Sequence, residues 1–87
     1  MSAPERPPSR VFIVDDHPLV RRALGQLLSL EPNLVVVGEA ASAEAALGQL
    51  GDEVPDLLLV DFSLPGMNGA ELVRRLGRTH PGVCCLV

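Results

Sequence analysis

The stretch Asp56-Leu57-Leu58-Leu59-Val60-Asp61 places four aliphatic residues between two acids. No polar residue alternates with the aliphatic ones, so both faces of this segment are expected to be buried. Burial on both faces is typical of a central strand in a parallel sheet that carries helices on each side. The stretch therefore predicts an α/β fold with a carboxylate at the carboxyl end of a central strand.

Segments on either side of this stretch continue an alternation of strands and helices. Short aliphatic runs predict three further strands, at residues 10–14, 34–37 and 83–87. Apolar residues at helical spacing predict three helices, which start at Pro18, at Ser42 and after Gly69. Strands that alternate with helices form βαβ units with right-handed crossovers. The pattern predicts a three-layer, doubly wound parallel sheet.

Two local details of this pattern can be tested against the structure. Gly38 is expected to end the second strand, because glycine weakens a strand interior. The first helix carries an apolar stripe that is expected to face the core, made of Val20, Ala23, Leu24, Leu27 and Leu28.

The composition fits one small globular domain. Of the 87 residues, 47% are hydrophobic and 21% are charged, a balance that excludes a disordered or collagen-like chain. A net charge of −4 argues against nucleic-acid binding by these residues, since such surfaces are basic. No apolar run approaches the roughly 18 residues of a membrane span, so we expect a cytoplasmic protein without membrane contact. The proline-rich residues 1–9 predict a disordered lead-in to a domain at 10–87.

Three acids follow two of the predicted strands. Asp15 and Asp16 come directly after the first strand, and Asp61 ends the third. If these strands are neighbours, the three carboxylates converge at one edge of the sheet, where oxygen ligands suit Mg²⁺. The alternative is that they are helix caps and turn formers, which is common for Asp at strand ends. His17 is expected to start the helix or lie at the surface rather than to bind a metal.

Three segments together carry a family resemblance. They are Val14-Asp15-Asp16-His17-Pro18-Leu19-Val20-Arg21, Val37-Gly38-Glu39-Ala40, and Pro55 to Asp61 followed by Leu64-Pro65-Gly66-Met67-Asn68-Gly69. In this order the segments resemble the CheY-like receiver domain of bacterial response regulators in two-component systems. The Asp-Asp-His-Pro start is similar to the NarL/FixJ subfamily, whose members usually carry a LuxR-type DNA-binding domain. No such domain occurs within these residues.

The resemblance implies a role for each acid. Asp61 would be the phospho-acceptor, which takes a phosphoryl group from a sensor histidine kinase. Asp15 and Asp16 would hold Mg²⁺ together with Asp61 and the backbone carbonyl of Ser63. The family's flavodoxin-like order of strands implies the order 2-1-3-4 here.

Two further residues are implied to shape the loop after the acceptor. These are Pro65 and Gly69, and Gly69 would adopt backbone angles that a side chain disfavours.

The resemblance also implies an incomplete receiver. The family continues with a fifth strand, two more helices, and a Thr or Ser and a Lys that bind the phosphoryl oxygens, whereas this chain stops at Val87 and contains no lysine. We therefore expect slow phosphorylation. We also expect strand four to be an open edge and the apolar surface around Val11, Ile13 and Leu24 to be partly uncovered. The chain is therefore expected to be partly molten, or to form a dimer or larger species through strand four.

Two other functions remain open from the sequence. The chain could be a non-signalling remnant or interaction module that keeps the acids without the chemistry. A Mg²⁺-dependent phosphatase also uses an Asp at a strand end as nucleophile, but that family usually has a second Asp two residues later. Here Phe62 and Ser63 follow Asp61, which disfavours the enzyme.

Overall fold

This computed structural model describes residues 7–50, 54–61 and 64–86. Four strands and three helices alternate along them: β1 (Ser9–Val14), α1 (Pro18–Ser29), β2 (Leu34–Ala40), α2 (Ala43–Leu50), β3 (Leu57–Val60), α3 (Gly69–Thr79) and β4 (Cys84–Leu86). All strand pairs are parallel, and their order across the sheet is β2-β1-β3-β4. The predicted doubly wound α/β fold and its strand order are confirmed.

Helices cover both faces of the sheet and give three layers. On one face, residues of α2 and α3 share a core with β1, β2 and β3, made of Phe12, Val14, Ala40, Ala43, Ala46, Leu50, Leu58, Val60, Leu64, Leu72 and Leu76. On the other face, α1 lies against β1 and β2. Burial of both faces explains why the central strands are apolar from Val11 to Val14 and from Leu57 to Val60.

The first helix covers the sheet less closely than its apolar stripe predicts. None of its residues is fully buried, and Val20 and Leu27 are 42% and 62% exposed, so the prediction that the whole stripe faces the core is wrong. The inward residues Leu24 and Leu28 are half-buried. The apolar stripe of α1 is wider than the part of it that contacts the sheet. A groove of about 200 Å³ lies between Leu24 and the neighbouring strands.

The expected exposure on this face is found at the groove but not at the central strand. Val11 and Ile13 were expected to be partly uncovered, and both are fully buried. Leu24 is half-buried at the groove, and Leu86 of β4 is 54% exposed there. The uncovered apolar surface is thus at α1 and β4, while β1 is covered.

The second strand does not end at Gly38 but continues to Ala40. Phe12 pairs with Gly38, whereas Val11 pairs with Val36, so β2 contains one extra residue at this point. A Cβ atom on Gly38 would lie 2.7 Å from the Phe12 ring, which is closer than packed atoms can approach. Glycine is therefore inside the strand because the buried ring crosses over it, and the prediction of a strand end was wrong.

The ends of the chain agree in part with expectation. β1 begins at Ser9, one residue before the predicted strand, while residues 1–6 of the expected lead-in lie outside the described ranges. β4 spans Cys84–Leu86, and Val87 also lies outside the described ranges. Among the described residues, no helix has the length and apolar character needed to cross a bilayer; α1, the longest, has 12 residues.

Candidate functional site

The pairing of β1 with β3 brings two of the acids together. Val14 pairs with Val60, so Asp15 and Asp61 each come directly after a residue of the same pair. The backbone N–H of Asp61 donates to the carbonyl of Val14 at 2.9 Å, and that of Asp15 donates to the carbonyl of Ala40 at 3.0 Å. The carboxyl ends of three parallel strands therefore meet at this edge, as the sequence predicted.

Four side chains form a cluster at this edge, which we call the acidic cluster: Asp15, Asp16, His17 and Asp61. One ligand atom from each lies within 4.8 Å of those of the others. Their exposure differs, since the side chain of Asp15 is 12% exposed and that of Asp61 is 19%, whereas Asp16 reaches 33%. The three carboxylates thus line one partly exposed site.

Asp15 and Asp16 differ in the hydrogen bonds that their carboxylates accept. Asp15 Oδ1 accepts a hydrogen bond of 2.8 Å from the backbone N–H of His17, so Asp15 orders the turn into α1. His17 occupies the cap position of α1 without a capping bond from its side chain. Asp16 Oδ1 is buried and accepts no hydrogen bond. Asp15 therefore forms the turn, whereas Asp16 Oδ1 accepts no hydrogen bond and has His17 Nδ1 at 3.1 Å as a charged neighbour.

His17 starts α1 and is 61% exposed, as predicted, and its ring also contacts the three carboxylates of the acidic cluster. Its Nδ1 atom is 2.8 Å from Asp15 Oδ1, 3.1 Å from Asp16 Oδ1 and 3.7 Å from Asp61 Oδ2. The hydrogen bond to Asp15 and the charge of Asp16 raise the pKa of His17 above its ordinary value of 6.5. The only signal in the sequence was its position directly after the acidic pair, which does not determine where the ring points.

We expect the raised pKa of His17 to appear in the pH dependence of stability. Because protonated His17 is favoured in the folded chain, its stabilisation is fully present below about pH 6.5 and is lost as pH rises through the folded pKa. NMR titration of the ring protons, without divalent cations, should give a pKa above 6.5. In His17→Gln the free energy of unfolding should lose this dependence, whereas His80→Gln should retain it. A ring that titrates at or below 6.5 would contradict the prediction.

The loop after Asp61 is held by α2. Glu44 Oε2 accepts a hydrogen bond of 3.1 Å from the backbone N–H of Met67. Hydrogen bonds from the amides of Glu44 itself and of Met67 lower the pKa of the Glu44 carboxyl. Gly66 has a φ of 71°, the left-handed region that favours glycine. The loop therefore turns at Gly66, and the hydrogen bond from Met67 to Glu44 fixes the next residue to α2.

The residues that the sequence predicted to shape the loop or bind a metal do not all have the predicted position in the structure. Gly69 is the buried first residue of α3, so the unusual backbone angles expected there occur at Gly66 instead. Pro65 is exposed in the loop. Ser63, expected to offer its carbonyl to a metal, lies outside the described residues.

The chemistry of the acidic cluster follows from its atoms. Carboxylate oxygens this close together repel one another unless a cation or protons neutralise them. A hard divalent cation prefers such oxygen ligands, and the buried, unbonded Asp16 Oδ1 is suited to it. A carboxylate beside a cation can also act as a nucleophile towards phosphorus. The arrangement can therefore bind a divalent cation and present Asp61 for covalent chemistry.

Comparison with known proteins agrees with this geometry. The family described as the response regulator receiver domain matches residues 11–87. The chain is similar to the nitrate/nitrite response regulator protein NarL of Escherichia coli, with 41% identity over 69 residues, which cover 79% of this chain and 32% of that protein. It is 45% identical over 78 residues to the DNA-binding transcriptional activator DevR/DosR of Mycobacterium tuberculosis, covering 90% of this chain and 36% of that one.

A solved structure shows the same fold. The signal receiver domain of the response regulator NarL from Mycobacterium tuberculosis superposes with a TM-score of 0.84 at 35% identity. The match covers 92% of this chain and 64% of that structure. The chain spans about a third of the length of the curated relatives it matches.

Proposed function

The chain belongs to the response regulator receiver domain family, and from that premise we propose that it accepts a phosphoryl group on Asp61 in the presence of Mg²⁺. The observation that carries the proposal is the position of Asp61 at the end of β3, in one cluster with Asp15 and Asp16. We place the receiver at residues 10–87. Receiver domains are signalling modules, so we propose no enzymatic turnover.

The proposed reaction is an in-line transfer to a carboxylate oxygen. With acetyl phosphate as donor, an Oδ atom of Asp61 attacks phosphorus and a new oxygen–phosphorus bond forms. The bond between phosphorus and the acetyl oxygen breaks, and acetate leaves with its electron pair. A bound Mg²⁺ would neutralise charge on the transferring oxygens. Asp15 and Asp16 would hold that cation, and Asp15 additionally keeps the turn into α1 in place.

Removal of one carboxylate should separate cation binding from folding. We expect Asp16→Ala to lose most Mg²⁺ affinity, because it removes a charged oxygen ligand whose buried Oδ1 accepts no hydrogen bond. Calorimetric titration of the 87-residue chain would measure it. Glu31→Ala is the matched control, since it removes an exposed carboxylate before β2, at the opposite edge of the sheet. Equal Mg²⁺ affinity in wild type and Asp16→Ala would refute this ligand assignment.

In the cell we propose that a sensor histidine kinase is the donor and that the protein is cytoplasmic. The family match supports a kinase as donor, and the Asp61 side chain, which is 19% exposed, is accessible from solvent. By similarity to a relative named as a DNA-binding transcriptional activator, we propose that this receiver belongs to a transcriptional regulator of the LuxR type. DNA contact by these residues themselves is not proposed, because their net charge is −4.

Incubation with acetyl phosphate and Mg²⁺, followed by intact-mass measurement, tests the proposed function. We expect one persistent phosphoryl adduct per chain. The 87 residues contain no lysine, so no lysine side chain within them can neutralise the phosphoryl oxygens, and transfer should be slow. Steady release of inorganic phosphate with turnover would indicate a phosphatase instead. Neither adduct nor release would indicate an interaction module without phosphoryl chemistry.

We also propose that copies of this chain associate through β4. Among the described residues β4 pairs only with β3, so its outer edge has unpaired backbone groups. Leu86 is 54% exposed beside that edge. Sedimentation at micromolar concentration should give a dimer or larger species, and Leu86→Lys should shift it towards monomer. Lys replacement at Leu30, which is 75% exposed at the end of α1, is the control. A compact wild-type monomer would overturn the proposal.

A further inference from the structure

Arg21 joins the first turn of α1 to the loop that carries the acidic pair. Its Nη1 donates a hydrogen bond of 2.7 Å to the backbone carbonyl of Asp15. Its backbone N–H donates to the carbonyl of His17 at 3.0 Å. One residue therefore holds the segment between β1 and α1 at two points. The side chain is only 18% exposed, which is low for an arginine on a surface helix.

The guanidinium group is itself fixed by β2. Its Nε donates to Glu39 Oε1 at 3.0 Å, and Glu39 lies one residue before the end of that strand. The planar guanidinium presents its donors in a rigid fork, so the bond to Glu39 sets the direction of the bond to Asp15. The contact thus connects β2 to the Asp15 carbonyl through α1.

This carbonyl belongs to the peptide that joins the two metal-binding candidates. Because the peptide unit is planar, holding the oxygen of Asp15 also restricts the amide of Asp16. The backbone of Asp15 is held on its other side by the bond from its N–H to Ala40. Rotation of this peptide would move the Asp16 carboxylate relative to Asp15 and Asp61.

We propose that Arg21 is a positioning residue for the carboxylates of the acidic cluster, and that Glu39 holds Arg21 in that role. The inference rests on the proposed binding of Mg²⁺ by Asp15 and Asp16. Partners that orient ligands in this way typically change metal affinity by about 10-fold to 100-fold when they are removed.

If charge were the only effect of Arg21, its removal would change the Mg²⁺ affinity in the opposite direction, which makes the inference testable. A guanidinium near the acidic cluster repels a cation, so its removal should strengthen Mg²⁺ binding if electrostatics were its only effect. A positioning role predicts weaker binding in spite of the lost positive charge. The two explanations therefore differ in direction and not only in size.

The experiment is an Mg²⁺ titration of the 87-residue chain, followed by the amide signals of Asp16 and His17 in NMR spectra. We expect Arg21→Gln to bind Mg²⁺ about 10-fold more weakly than wild type. Arg22→Gln removes the same charge from the adjacent exposed position and should leave the affinity unchanged. Arg21→Lys keeps the charge but lacks the planar guanidinium and its forked donors, so we expect this variant also to bind Mg²⁺ more weakly than wild type. Urea unfolding of each variant shows whether the titrated chain is folded.

Variants of Glu39 keep the test decisive if Arg21→Gln does not fold. Glu39 is 48% exposed, so its substitution is compatible with folding. Glu39→Ala should weaken Mg²⁺ binding, and Glu39→Gln, which retains an acceptor oxygen, should preserve it. Unchanged or tighter binding in Arg21→Gln or Glu39→Ala would overturn this inference and leave the proposed function intact. Failure of the wild type to bind Mg²⁺ would refute the proposed cation site, and this inference with it.

Discussion

The Asp61→Asn variant is expected to form no phosphoryl adduct with acetyl phosphate and Mg²⁺, whereas the wild type forms one. A carboxylate oxygen carries the charge and lone pairs that attack phosphorus, and an uncharged amide of the same shape does not. The substitution keeps the size of the side chain and the backbone bond from Asp61 to Val14, so the fold should be retained. Intact-mass measurement with circular dichroism would separate loss of the site from loss of the fold.

Asp56→Asn is the matched control for this variant. Asp56 directly precedes β3, at the other end of the same strand, and its Oδ2 accepts a hydrogen bond of 2.8 Å from the backbone N–H of Arg10. Asparagine keeps an oxygen that can accept this bond. Asp56→Asn should therefore form the phosphoryl adduct as the wild type does. An adduct that persists in Asp61→Asn would place the acceptor elsewhere and refute the assignment.

The convergence of the acidic residues could be predicted because it depends only on the direction of the strands and on which strands are neighbours. Parallel strands bring all their carboxyl ends to one edge, so Asp15 and Asp61 converge once β1 and β3 are neighbours. Strand ends were marked in the sequence by the change from aliphatic to acidic residues. The identity of the neighbours, in contrast, came from the family resemblance, because alternation alone does not determine strand order.

Contacts between distant side chains could not be predicted in this way. The contact between Arg21 and Glu39 depends on where α1 crosses β2 and on side-chain rotamers. The same holds for His17, whose side chain is 61% exposed and whose Nδ1 nevertheless contacts Asp15 Oδ1. Gly38 was misread as a strand end, because its close approach to Phe12 arises from tertiary packing that overrides a local preference. Helical spacing located the apolar stripe of α1 but did not determine how much of it the sheet covers.

The largest loss of stability is expected from Leu58→Ala. Leu58 has no exposed surface and lies in β3, where it pairs with Phe12 on one side and Cys85 on the other. Leu58 belongs to the core that residues of α2 and α3 also form. Truncation of a fully buried leucine leaves a cavity, which costs about 2–5 kcal/mol. A small domain has only about 5–15 kcal/mol in total, so much of the chain could unfold. Urea unfolding at constant chain concentration measures the loss.

Leu27→Ala is the control for this prediction. Leu27 is 62% exposed on α1, and alanine is the better helix former, so the change should stay within about 0.5 kcal/mol. Both variants keep the acidic cluster, and a cation that binds only the folded chain should therefore raise the free energy of unfolding of each by the same amount. A loss in Leu58→Ala no greater than in Leu27→Ala would contradict the packed core between β3 and its helices. Equal stabilisation by Mg²⁺ in a strongly destabilised Leu58→Ala would show that the site depends on the ends of the strands and not on the tightness of the core beneath them.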